Sequence, residues 1–125
     1  MAQTVSNIAA RLADTLVIET LSDNTANDNV FTGTSLASKI YEVELDNTLN
    51  SSASYLKVQY ATSYNTSNTP SLQLYCPGSS KVYYTFPEGL AFTTGFSFIG
   101  SVTAAATGTQ TSPTKAFKVK ILGGT

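Results

Sequence analysis

From Lys39 to Thr94 the chain cycles through short runs of alternating apolar and polar residues, each cut by Asn, Ser, Gly or Pro. The cuts recur roughly every eight to twelve residues, the interval of successive hairpins. Alternation with period two puts every second side chain on one side of an extended backbone. Within 38–46, Tyr41, Val43 and Leu45 share one side, while Glu42, Glu44 and Asp46 share the other. That is the pattern of a half-buried strand. It returns in Leu56, Val58 and Tyr60, in Val82, Tyr84 and Phe86, in Phe96 and Phe98, and in Phe117, Val119 and Ile121. With Phe92, these side chains predict one core.

Strands are expected at 15–21, 30–32, 38–46, 54–61, 71–76, 81–86, 90–93, 96–103 and 115–122. So many short strands with Gly and Pro turns predict an all-β fold, an antiparallel β-sandwich of jelly-roll type, with a closed barrel as the alternative. The Ser/Thr-rich stretches 63–70 and 103–114 read as exposed loops. Residues 15–125 are expected to form a single sandwich domain and residues 1–14 a short arm or helix. In that arm Val5, Ile8, Ala9 and Leu12 fall on one helical stripe. A stripe this short is marginal alone and needs a surface to lie on.

Charged residues make up only 12% of the chain and the net charge is −1. A surface built from Ser, Thr and Asn has little repulsion to hold copies apart, so self-association is expected. Only seven basic residues are scattered along the chain, too few and too dispersed for a nucleic-acid footprint. Residues 1–14 lack the basic and apolar regions of a secretory signal, so synthesis in a cytoplasm is expected. No apolar run approaches the roughly 18 residues of a membrane span, and no membrane partner is expected.

Enzymatic chemistry lacks parts. The chain has no His, which removes the common triads and His-containing zinc sites. Glu42 and Glu44 share a strand face, but two acids on one strand cannot flank a bond from both sides as a glycosidase requires. They read instead as charges on a solvated face. Lys118 and Lys120 also share one strand face, and would favour pairing with 38–46 if the strands are neighbours, or select a partner subunit if they are not. Asp23, Asn27 and Asp28 offer calcium-type oxygens without the EF-hand pattern, and a turn-rich loop explains them. Gly78-Ser79-Ser80-Lys81 reads as a hairpin turn, and the lone Cys76 as a small buried hydrophobe. Asn50 and Asn65 each open an N-glycosylation triplet, a pattern frequent by chance in so Asn/Ser/Thr-rich a chain. Neither cofactor nor metal is expected. Tyr55, Tyr75 and Tyr83 fall opposite the core alternation, as interface or sugar-platform residues would, or as residues covered by the second sheet or an N-terminal segment would.

Three segments carry a resemblance. Tyr41-Glu42-Val43-Glu44-Leu45-Asp46-Asn47, Ser54-Tyr55-Leu56-Lys57-Val58 and Lys81-Val82-Tyr83-Tyr84-Thr85-Phe86-Pro87-Glu88-Gly89-Leu90-Ala91-Phe92-Thr93-Thr94-Gly95, with its corner at 86–95, resemble small virion structural proteins of tailed bacteriophages, notably those infecting cyanobacteria. The likeness spans about residues 38–103, and its motifs are turns and core positions. It implies a virion component, with a capsid cement or decoration protein favoured. The implied partners are other copies of the chain, with a trimer favoured, and the major capsid protein. A tail, neck or fibre component, or a module that binds host-surface carbohydrate, is the alternative. Val5, Ile8, Leu12, Tyr55, Tyr75, Tyr83, Glu42, Glu44, Lys118 and Lys120 are the expected interface residues.

Overall fold

The alternating runs become strands at nearly every place where they occur. The computed structural model describes residues 15–31 and 37–124. Among these are seven strands and no helix: β1 (Thr15–Glu19), β2 (Lys39–Asp46), β3 (Ser54–Gln59), β4 (Leu72–Cys76), β5 (Lys81–Ala91), β6 (Ser97–Ser101) and β7 (Lys118–Gly124). They form two antiparallel sheets, β1-β7-β2-β5 and β4-β3-β6. The core lies between them. Ile40, Val43, Leu45, Val119 and Ile121 come from the larger sheet, and Leu56, Val58, Leu74, Cys76 and Phe98 from the smaller. Phe31, Phe92, Phe96 and Phe117 complete it from the connections. Val82, Tyr84 and Phe86 of edge strand β5 pack against this core while staying partly exposed. No helix among the described residues is long and apolar enough to cross a membrane.

Four expectations change. The strands foreseen at 81–86 and 90–93 are one strand, because β5 continues through a bulge in which residues 86–89 lie between the partners of Ile40 and Glu42. Pro87, which has no N–H to donate, is tolerated because β5 is an edge. Tyr41 does not share the core side with Val43 and Leu45. A bulge between Ile40 and Glu42 shifts the alternation, so Ile40 takes the core position and Tyr41 is buried outside the cluster. Tyr41 packs beside Gly89, whose φ is +79° and where a Cβ would come within 2.9 Å of the Tyr41 ring.

Third, 30–32 is not a strand, and Thr32 lies outside the described residues. The preceding Asn27 instead exchanges backbone bonds with Phe98 (2.9 and 3.0 Å), and the Val30 N–H donates to Phe96 O at 2.9 Å. Fourth, 103–114 is exposed along most of its length, as expected, but it is not free. It folds over the outer side of β3 and buries Gln110. The expected arm 1–14, with Val5, Ile8 and Leu12, lies outside the described residues. Cys76 is fully buried, and burial pushes its thiol pKa up, as suits a packing residue.

Candidate functional site

Glu42, Glu44, Lys118 and Lys120 meet on the outer face of the four-stranded sheet, because β2 and β7 are neighbours. The register opposes Glu44 to Lys120 and Asp46 to Lys118. Lys120 Nζ lies 3.6 Å from Glu44, and Lys81 Nζ of β5 lies 3.5 Å from Glu44 and 3.9 Å from Asp46. Tyr83 donates its hydroxyl to Glu44 at 3.1 Å. One row across the sheet therefore reads Ile18, Lys120, Glu44, Tyr83. The next reads Leu16, Leu122, Glu42, Thr85. A shallow depression of about 260 Å³ lies among Leu16, Glu42, Glu44, Lys120 and Leu122. Leu16 (54% exposed), Ile18 (56%) and Tyr83 (58%) stand open to solvent around the charged centre.

Partial burial would raise the Glu44 carboxyl, but the Tyr83 hydroxyl, Lys120 and Lys81 outweigh it and hold the group below its ordinary value of 4.5. The Thr48 hydroxyl does most to hold Asp46 low. A carboxylate with a lowered folded pKa adds stability that is complete above its unfolded value and drains away as pH falls through the folded one. Glu44→Gln should therefore cost about 1 kcal/mol or less at neutral pH, because Lys81 and Lys120 stay 42% and 52% exposed although the Glu44 side chain is only 17% exposed. Urea melts at neutral pH and near pH 3 check this: the gap between the two proteins should close in acid.

The three tyrosines do not share a face. Tyr55 and Tyr75 are register partners on the outer side of the smaller sheet, with ring centres 5.5 Å apart. Tyr83 lies on the outer side of the other sheet, and no described cleft is lined by both Tyr75 and Tyr83. A cleft of about 370 Å³ beside Tyr55 is lined instead by Ser52, Thr111, Ser112 and Thr114 among others.

The outer side of the smaller sheet is largely roofed. Lys57 is 0% exposed, and its Nζ donates to Ala105 O at 2.5 Å and Gln110 Oε1 at 2.6 Å. It also lies 5.8 Å from the Tyr55 ring centre. None of these groups is anionic, so burial pushes the amine pKa down. Ser101 Oγ donates to the same Gln110 oxygen at 2.8 Å. Beside this cluster, Gln59 Nε2 donates to the Asn65 and Asn68 carbonyls at 2.7 and 3.0 Å, fastening the other polar loop.

A second polar knot joins three chain reversals at one end of the sandwich. Asn47 Nδ2 donates to Ser52 O at 2.9 Å and Pro77 O at 3.2 Å, while its Oδ1 accepts from Asn50 Nδ2 at 2.9 Å and Ser54 Oγ at 3.1 Å. Asn50 Oδ1 also accepts the Lys115 N–H at 2.9 Å, which leaves this glycosylation triplet with a buried, committed amide. The turn after β4 approaches so closely that a Cβ on Gly78 would lie 2.0 Å from Ser51 O. In the segment that follows β1, Asp23 accepts from Thr25 N–H, Asn27 donates to Glu19, and Asp28 accepts from Tyr64 N–H, so the calcium-type oxygens serve separate partners.

The fold is an antiparallel β-sandwich whose larger sheet carries an open, charge-paired outer face. No family model matches the chain, and no curated protein or solved structure matches it either.

Proposed function

We propose that the chain is a non-enzymatic structural protein of a bacteriophage particle, a cement or decoration protein that lies on the head lattice through the outer face of β1-β7-β2-β5. The observation that carries this reading is the contrast between the two outer faces. One is roofed by loops; the other is bare, apolar at Leu16 and Ile18, and charge-paired around Glu44. Exposed apolar side chains at Leu16 and Ile18, beside charges already paired within the chain, give a face that a protein partner can cover without stranding a charge.

The topology lends support by analogy of fold alone. Counting residues 27–30 as a further strand beside β6 makes the second sheet 27–30, β6, β3, β4 against β1-β7-β2-β5. We read that order as a jelly roll, an architecture common among capsid proteins. The sequence resemblance to phage virion proteins points the same way, and Val5, Ile8 and Leu12, which precede β1 in the chain, are assigned to lattice attachment.

Co-sedimentation with isolated heads tests the reading. The full chain should pellet with heads, and both Tyr83→Ala and deletion of residues 1–14 should weaken pelleting while leaving the melting temperature nearly unchanged. Failure of the full chain to pellet, or pelleting indifferent to both changes, overturns it. A second reading, contact with host carbohydrate, is favoured by the Tyr55–Tyr75 pair beside the hydroxyl-lined cleft. Binding to host cells that is lost in Tyr75→Ala, without binding to heads, would select that reading.

A further inference from the structure

We propose that β1 pairs antiparallel with β1 of a second copy about a two-fold axis at Val17, joining the two larger sheets into one. Unpaired edges invite further strands, and natural proteins blunt them with Pro, Lys, bulges or a covering segment. β5 carries Pro87, Lys81 and the 86–89 bulge. The outer side of β6 is followed by Asn27 and Val30, and the Gly100 N–H donates to Asp23 O at 2.7 Å. β4 lies between Pro70 and Pro77, and its Tyr75 carbonyl accepts the Tyr84 hydroxyl at 2.5 Å.

Among the described residues, β1 has none of these devices along Leu16 to Ile18. Its sequence is Thr-Leu-Val-Ile-Glu, its register with β7 runs without a break, and among the described residues β7 is its one strand partner. Leu16 and Ile18 are each more than half exposed at this edge.

The strand is also complementary to itself. With Val17 opposite Val17 of the second copy, Leu16 faces Ile18 of that copy and Ile18 faces its Leu16. Glu19, the strand's one charge, then faces Thr15 rather than another carboxylate. Because an antiparallel two-fold pair keeps matching side chains on one side of the sheet, the four apolar residues merge into a patch continuous with Leu122, the partner of Leu16. Centring the pair on Ile18 instead sets Val17 against Glu19. Centring it on Leu16 runs Ile18 past the end of the other β1. The contact uses the same surface on both copies, so it closes at two. The trimer expected from sequence would need a different surface.

The inference does not depend on a role in a particle, and its test uses the purified chain alone. Sedimentation equilibrium should give the mass of two chains at high concentration and dissociation on dilution. Amide exchange at Leu16 to Ile18 should slow as concentration rises. Ile18→Lys, an edge lysine at an exposed site, should yield a monomer with an unchanged circular dichroism spectrum. A wild-type chain that stays monomeric throughout overturns the proposal, and so does a dimer that survives Ile18→Lys with its β1 protection intact. Protection of β1 that is independent of concentration also overturns it, since the edge would then be occupied within a single chain.

Discussion

Asn47→Ala should lower the stability of the sandwich by about 3 kcal/mol or more, since each buried partner left without a hydrogen bond costs roughly 1–3 kcal/mol. Asn47 is 0% exposed and serves groups on both sides of its amide: the Ser52 and Pro77 carbonyls, the Asn50 amide and the Ser54 hydroxyl. Alanine would strand these groups where Gly78 already packs the neighbouring turn against Ser51. Asn47→Asp keeps the shape but turns a carboxylate toward carbonyl oxygens, and should not rescue stability. Urea denaturation checks both variants, and a loss well under 1 kcal/mol for alanine would mean that water replaces the side chain.

The second large effect is expected at Phe96. Its ring is fully buried and lies 5.4 Å from Phe31, 5.2 Å from Phe92 and 6.1 Å from Tyr60, centre to centre. Like Phe92, it contacts all three other rings of the cluster, and it is the more deeply buried of the two, so Phe96→Ala leaves a cavity between ring faces that cannot easily collapse. The cost should be about 3–5 kcal/mol. Phe96→Leu retains most of the volume and should cost distinctly less. Thermal and urea melts of the two variants compare the cavity with the lost ring contacts.

Period-two patterning was enough to place most of the strands, because burial of one face leaves a visible alternation. It failed at Tyr41, where a bulge inserts one residue and the count slips. It also split β5 in two, since Pro87 and Gly89 read as a stop in a strand that an edge position allows to continue. The Glu44–Lys120 pairing was legible as a conditional. Like charges shared a face on each of two strands, but only the sheet order could say that those strands are neighbours.

The three outward tyrosines shared a parity, and parity does not tell one sheet from another; Tyr83 went to the larger sheet and the other two to the smaller. Lys57 and Gln110 were not foreseen. Lysine at an outward strand position ordinarily reaches water, and nothing local marks the distant loop that covers it. Asn47 and Asn50 had a signal, two Asn three residues apart in a turn, but the groups they hold come from other turns far along the chain.

The position of β7 bears on how the protein is made. In the larger sheet it separates β1 from β2, so the strand that mends their facing edges is the last of the described strands to leave the ribosome. Until it arrives, the nascent chain can pair β2 with β5 and assemble the smaller sheet, but β1 lacks the one described strand it pairs with and β2 keeps one side open. Closure of the larger sheet thus waits for β7 and depends on contacts of long sequence separation, which form slowly. A message cut short before Lys118 would not yield a slightly smaller protein. It would release a chain with two raw edges into a crowded cell, where edge-to-edge aggregation competes with folding.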